Sequence, residues 1–480
     1  MTNSHQEYIQ QLNKFPIVAV LLSGAFLAIL NQTLLATAIP PIMDDFGLTE
    51  STAQWLTTIF MLVNGIMIPV TAFLIETFTA RKLLLTAMST FAAGTLICGL
   101  APNFLILMVG RVVQASGAGI MLPLMMTIFL LIFPIEKRGT AMGTVGLVIS
   151  FAPAIGPTLS GWIVEQYPWR VMFFVILPLA IIDIIFAYFV MKNVTEQTYP
   201  KVDILSIILS TFGFGGLLFG FSSAGNSGWA SPVVIVSLLI GVIALITFIL
   251  RQLKLKQPIL EFRVFKYRRF TIATVIGMIV FMALIGAETM LPIYMQNMAG
   301  FSALESGIMI MPGALLMGFM SPVTGRIFDK VGARWLSITG LSIVTVTTFM
   351  FTGLSTETSL QYLTVVFAIR MLGISMVMMP VTTAGLNQLP NRLIPHGTAM
   401  NNTMRQVAAS IGTAILVTIM TAAALDSSAD AKPYEMIHGV NIAFYVATGL
   451  SAIGLVLSFY MKGTKPAEDH KSAELAEKNR

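Results

Sequence analysis

The sequence predicts an all-α polytopic membrane protein: two six-helix bundles with two extra transmembrane helices between them. Three observations carry that prediction. Apolar residues form 56% of the 480-residue chain and charged ones 10%, at a mean hydropathy of +0.84. A soluble core of this length cannot hide so much apolar surface. The apolar residues gather into fourteen runs, each long enough to cross roughly 30 Å of hydrocarbon. Finally, thirteen residues at 69–81 return at 322–334 with five identities, and Gly-Thr-Ala-Met occurs at 139–142 and again at 397–400. Repeats of this kind mark a chain built from two related halves.

In order, the spans are expected at 15–38, 54–75, 83–100, 104–132, 140–163, 171–191, 204–221, 231–250, 270–294, 306–325, 335–353, 360–386, 398–422 and 439–461. The first is too long for a signal-peptide core and lacks a cleavage site, so it is expected to stay as a helix. Charge orients the set. With the N-terminus inside, cytoplasmic segments hold 23 of the 28 Lys and Arg, and the outer loops only Arg170 and Lys432. Acids show no such bias, with nine outside and eleven inside. That is the positive-inside pattern, and it places both termini in the cytoplasm. The net charge of +6 is therefore a topology signal, and no nucleic-acid partner is expected.

The loop from Arg251 to Arg269 carries seven basic residues and forms the seam before the second half. Spans seven and eight precede it and have no counterpart in the repeat. The expected division is a six-helix bundle over 1–192, two extra helices and a basic linker over 193–269, a second bundle over 270–462, and a disordered cytoplasmic tail over 463–480. The lone Cys98 lies in the third span and excludes an intramolecular disulfide. His5 and His470 are terminal, His396 and His438 are expected in loops, and none belongs to a metal-ligand pattern. No phosphate loop or nucleophile elbow is present. Neither an enzyme nor a bound cofactor is expected.

The motifs resemble those of a major facilitator superfamily transporter of the fourteen-helix drug:proton antiporter family, over essentially the whole chain. Gly325-Arg326-Ile327-Phe328-Asp329-Lys330-Val331-Gly332-Ala333-Arg334 matches the superfamily's signature loop. The first copy is degraded: Ala72 and Thr79 replace glycines, and Glu76 replaces Asp. Arg111, Gln114, Gly117 and Gly119 match the fourth-helix pattern, and the run from Ala152 to Gly161 the fifth-helix antiporter motif, with Ser160 departing from Gly. Trp169-Arg170 and Pro178 resemble the entry into helix six, and Arg405-Gln406 with Ser410 and Gly412 resemble helix thirteen. Lincomycin exporters are the nearest type. The resemblance implies a multi-pass protein of a bacterial plasma membrane that moves drug-like molecules against protons, with the proton gradient as its energy source.

Two loops are expected to gate it. Glu76 with Arg81, and Asp329 with Arg326, Lys330 and Arg334, are candidates for latches between helix ends. Exposed pairs contribute only about 0–1 kcal/mol, which suits contacts broken in every cycle; the alternative is a plain orientation determinant. Gly156, Pro157 and Gly161 form a close-packing point and bend in helix five, against ordinary small-residue packing.

Arg111, Asp183, Glu288, Arg370 and Arg405 fall within spans and should face a cavity or a partner. By resemblance, helices one, four, nine and twelve line the cavity, which places Asn31, Arg111, Gln114, Glu288 and Arg370 near the path, with Arg405 close by. The family's first-helix Asp is replaced by Asn31, which cannot carry a proton. Glu288 lies at similar depth on the helix that repeats helix one, and is expected to couple the proton, with Asp183 as a second candidate. An apolar cavity favours a protonated acid, and a nearby guanidinium favours its carboxylate. The alternatives are that Glu288 binds cationic substrate or pairs with an arginine, and that Asp183 is structural. Methionine clusters at 121–126, 309–317 and 371–379 fit either an adaptable pocket or plain packing. The expected function is a secondary exporter of lipophilic or cationic drugs. A nutrient importer and a non-transporting membrane sensor or scaffold are the competing readings.

Overall fold

The computed structural model describes residues 11–424 and 433–461. Fourteen helices among these residues are long and apolar enough to cross a membrane. They are α1 (Lys14–Phe46), α2 (Trp55–Thr77), α3 (Ala80–Leu100), α4 (Phe104–Ile132), α5 (Arg138–Gln166), α6 (Val171–Val190), α7 (Ile204–Ser227), α8 (Pro232–Lys254), α9 (Arg268–Asn297), α10 (Ala303–Val331), α11 (Ala333–Met350), α12 (Leu360–Leu386), α13 (Ile394–Ala422) and α14 (Pro433–Ser458). Two of the expected spans, α4 and α12, have the anticipated limits, and most others differ by a few residues.

The largest departure is α1, which runs eight residues past the apolar limit at 38. Polarity rises at Pro40, Pro41, Asp44 and Asp45, yet the backbone stays helical until Gly47. There φ of 63° provides a left-handed cap that other residues adopt at a cost. His396 and His438, expected in loops, instead lie near the starts of α13 and α14. Both helices begin before their apolar runs do. Lys432, His5, His470 and the tail over 463–480 lie outside the described residues.

In the first bundle α1 packs on α4, α5 and α6, while α3 packs on α4 and α6. Glycine sets the closest crossing. A Cβ on Gly94 of α3 would collide with the Gln114 backbone of α4, so the two backbones approach as small-residue membrane interfaces allow. The second bundle repeats the scheme: α9 packs on α12, α13 and α14, and α11 on α12 and α14. Gly340 of α11 meets Gly373 of α12 just as closely.

Odd-numbered helices start on the face that carries most of the Lys and Arg, here termed the basic face. Between the bundles, α5 lies against α10 and α2 against α13, with α4 and α12 adding to these seams. The extra pair α7–α8 is more than a spacer. α7 rests on both α2 and α13 and so covers one inter-bundle seam, and α8 packs on α7. Arg251 grips Asp203 through two nitrogens, at 2.8 and 3.0 Å, tying the end of α8 to the start of α7. At the far end Trp55 stacks on Phe219, and the Trp229 indole donates to Thr418 Oγ1 at 2.6 Å.

Candidate functional site

Arg111 is fully buried on α4. Its Nη1 donates to Asn31 Oδ1 of α1 at 2.9 Å and to Gln114 Oε1 at 2.7 Å, and Nε to the Leu56 carbonyl at 3.3 Å. Gln114 passes the chain on, donating to Thr95 Oγ1 of α3 at 2.7 Å. The Phe60 ring lies 4.2 Å from the guanidinium carbon. Oxygen acceptors and a π-face thus offset the buried cation.

Arg370 holds the same place on α12, buried to 1% exposure. Its Nε donates to Thr348 Oγ1 of α11 at 3.3 Å and Nη2 to the Ala283 carbonyl of α9. The two sites correspond through the repeat. Asn31 and Glu288 stand 257 positions apart, Arg111 and Arg370 259, and Thr95 and Thr348 253. The duplicated arrangement therefore carries an amide in the first half and an acid in the second. Glu288 is half-buried and near enough to Arg370 for their charges to interact, without a direct ion pair.

Arg405 enters between α9 and α12. Its Nη2 donates to the Met378 carbonyl at 3.3 Å and to Thr382 Oγ1 at 3.2 Å, with the Phe281 ring 5.7 Å away. Asp183 is elsewhere, on α6 against α1, where it accepts from Ser23 Oγ beside Gly24 and Met88. The expected carriers thus divide. Asn31, Arg111 and Gln114 form one cluster, Glu288 and Arg370 a second, and Asp183 lies apart from both. Most methionines of the three clusters are buried packing residues, and Met126 Sδ accepts from Asn402 Nδ2 at 3.3 Å.

The gating residues are arranged differently from the expectation. Asp329 turns away from its own loop toward the first turn of α5. There it accepts from Gly139 N and Thr140 N, both at 2.8 Å, and from Thr140 Oγ1 at 2.6 Å. A helix N-terminus presents unpaired N–H groups and partial positive charge, and so attracts a carboxylate more firmly than mobile surface cations do. A Cβ on Gly139 would meet the Asp329 carboxylate and the Phe328 ring, so only glycine permits this approach. Arg326 and Lys330 are exposed and Arg334 half-buried.

Glu76 likewise reaches the opposite bundle, with Oε1 at 3.0 Å from His396 Nε2 on α13. His396 Nδ1 accepts from Glu261 N at 3.3 Å, which leaves the Nε2 proton for Glu76. Arg81, expected beside Glu76, instead covers the Tyr188 ring and donates to the Tyr188 carbonyl at 2.6 Å. Both carboxylates thus cross to the partner bundle near the basic face. Arg138 Nη1 to Asn387 Oδ1 at 3.0 Å and Thr127 to Thr398 at 2.7 Å also join the two bundles.

His396 and Arg138 were not singled out from sequence, although each immediately precedes a copy of Gly-Thr-Ala-Met. Gly156 lies against Thr33 of α1, inside the first bundle, and Gly161 has open space around it. The glycines at the inter-bundle crossing are Gly139, Gly143 and Gly146 of α5 with Gly318 and Gly325 of α10. Their small-residue spacing was the available signal.

The family model described as Major Facilitator Superfamily matches residues 21–413. The chain is 58% identical over 457 residues to the MFS-type transporter YcnB of Bacillus subtilis (strain 168), itself described as uncharacterized, covering 95% of this chain and 97% of that one. It is 45% identical over 466 residues to the lincomycin resistance protein LmrB of the same organism, covering 95% and 97%. The crystal structure of the human organic anion transporter MFSD10 (TETRAN) shares the fold alone, with a TM-score of 0.68 at 14% identity over 93% of this chain and 100% of that one. The chain belongs to the Major Facilitator Superfamily and is a multi-pass membrane transporter of small molecules.

Proposed function

We propose that this transporter is a proton-coupled exporter of lipophilic, drug-like molecules. The observation that carries the reading is a half-buried acid within a membrane span, Glu288, set near Arg370 where the first half has Asn31 beside Arg111. The resistance protein LmrB, alike over nearly its whole length, supports export as the direction. The basic face is cytoplasmic under the positive-inside rule, so closure by Asp329 and Glu76 corresponds to an outward-facing state.

In the cycle, Glu288 takes a proton from outside while the basic face is shut. Residues 1–192 and 270–462 then rock about the α5–α10 and α2–α13 seams, and the two carboxylates leave their partners on α5 and α13. Glu288 gives up its proton inward as Arg370 draws closer to the carboxylate. A proton moving inward supplies about 2.3 kcal/mol per 100 mV and about 1.4 kcal/mol per unit of pH gradient. Everted membrane vesicles test this. Glu288→Gln should abolish proton-driven uptake of a lipophilic dye while leaving downhill exchange, and drive that survives the substitution refutes the coupling role.

A further inference from the structure

The buried charges of the spans do not balance. Arg111, Arg370 and Arg405 are all at least 96% buried, opposed among the described residues of the spans by Glu288 and by Asp183, which is occupied with Ser23. Each of the three keeps one buried nitrogen without a partner. Arg111 engages two nitrogens, with three oxygen acceptors and a ring, and Arg370 two, with two acceptors and the charge of Glu288. Arg405 engages one nitrogen, with two acceptors and a more distant ring, and has no acid beside it. Of its three guanidinium nitrogens only Nη2 has hydrogen-bond partners, Nε is buried with none, and no carboxylate acts on it among the described residues. A cation taken out of water without an anion is among the least favourable arrangements a membrane protein can hold.

Two further orphaned atoms lie about one helical turn away on the same pair of helices. Gly277 of α9 places Arg405 Nε 3.9 Å from where its Cβ would stand. Thr274, one turn nearer the basic face on α9, has an unpartnered buried Oγ1, and Asn401, one turn nearer that face on α13, has an unpartnered buried Oδ1. α9 and α13 pack together and both start at the basic face, so these residues share one level. A guanidinium, a hydroxyl and an amide are thus buried within about one turn of each other along this helix pair, each with bonding capacity unused. Carried back through the repeat, Thr274, Asn401 and Arg405 fall on Ile17, Gly143 and Leu147. The first half has no such cluster, so it is not a structural feature of the shared scaffold. Arg405 lies eleven residues into α13, about 17 Å from its start, near the midplane where transporter sites at repeat interfaces form.

We propose that Arg405, with Asn401 and Thr274, is a subsite for an anionic, oxygen-bearing group of the transported molecule. The guanidinium fork takes the carboxylate, sulfonate or phosphate oxygens, and the Thr274 hydroxyl and the Asn401 amide, turned to present Nδ2, donate to the oxygens that remain. The substrate class is then lipophilic acids and zwitterions rather than simple lipophilic cations. The inference rests on the transporter reading but not on proton coupling, because it is read at equilibrium without a gradient.

The test uses full-length protein in lipid nanodiscs and two dyes with one xanthene scaffold, anionic fluorescein and cationic rhodamine 123, titrated by fluorescence anisotropy. Wild-type protein should prefer fluorescein. Arg405→Gln should lower the ratio of fluorescein to rhodamine affinity about tenfold, and Arg405→Lys by less, since it keeps the charge and loses the fork. Should Arg405→Gln misfold, Asn401→Leu and Thr274→Val, which keep shape and remove one partner each, should lower the ratio a few-fold. Fluorescein affinity that rises when chloride is replaced by gluconate, and only with Arg405 present, identifies an inorganic anion competing for the same subsite and supports the assignment. A ratio unchanged in well-folded variants, or wild-type protein that prefers rhodamine, means water fills the cradle and overturns it. Failure of Glu288→Gln to uncouple transport would leave this result standing.

Discussion

The two halves place an arginine at matching depth and surround it differently. Around Arg111 the partners are neutral and tightly connected: Asn31, Gln114, Thr95 and the Leu56 carbonyl. Around Arg370 one neighbour is an acid, and Glu288 stays partly accessible. A neutral network of this kind has no proton to exchange, whereas an acid can bind and release one. The comparison teaches that two halves built on one scaffold differ at a single paired position, Asn31 against Glu288, and that only the second of these side chains can carry a proton.

The largest expected effect would break that division. Glu288→Gln should reduce gradient-driven dye uptake in everted vesicles by at least tenfold, since one proton at 100 mV represents about 2.3 kcal/mol. Adding Asn31→Asp to that variant asks whether the halves are interchangeable. The double variant should stay uncoupled, because an Asp at 31 would sit in a fixed pair with the enclosed Arg111. Recovered coupling would show that the first half can still act as the switch.

Next in size is Arg111→Lys. A lysine ammonium has three donors but lacks the reach and planar fork that let Arg111 engage Leu56, Asn31 and Gln114 from two nitrogens, and buried acceptors left unpaired cost about 1–3 kcal/mol. A clear fall in the thermal transition in detergent is expected, with Arg370→Lys falling less because fewer acceptors depend on it. Equal losses would argue that both sites are struts.

The latches should differ more modestly. Asp329→Asn removes a carboxylate that accepts three hydrogen bonds at a helix start, worth about 1–2 kcal/mol to the closed state. Glu76→Gln removes one contact, worth about 0.5–1 kcal/mol. Spin-label distances between the basic ends of α5 and α10 should lengthen more in the first variant than in the second.

The smallest effect concerns acid. The Arg251 guanidinium holds the Asp203 carboxyl at about 2, below its ordinary 3.8. A depressed carboxyl contributes stability that is fully present above the unfolded value and is lost as pH falls through the folded one. The α7–α8 pairing should therefore be insensitive between pH 5 and 8, and should weaken only below about pH 4. Asp203→Asn should remove that part of the acid sensitivity, read as the shift of the thermal transition with pH.

Much of the fold was legible because a bilayer imposes a length that apolar runs must match. The deepest charges were also legible: Arg111, Glu288 and Arg370 stood out as polar residues in apolar runs, and the repeat offset related them to one another. The gate was not. Local spacing pairs Glu76 with Arg81 and Asp329 with Arg326 or Arg334, whereas the carboxylates cross to His396 and to the start of α5. A long flexible cation a few residues away on the same chain segment competes poorly with N–H groups that point outward from a helix end.

By itself the sequence determined the number of spans, their duplication, the extra pair and the polar residues that each half carries into the membrane. Those properties are local, set by run length, hydropathy and residue identity. The tertiary structure alone decided which helices meet, that α7 covers the α2–α13 seam, that two acids in the last turns of α2 and α10 bond to the opposite bundle, and that Arg405 is left with capacity to spare. Such contacts join residues hundreds of positions apart. They depend on how close small residues let two helices come, a distance no single segment encodes.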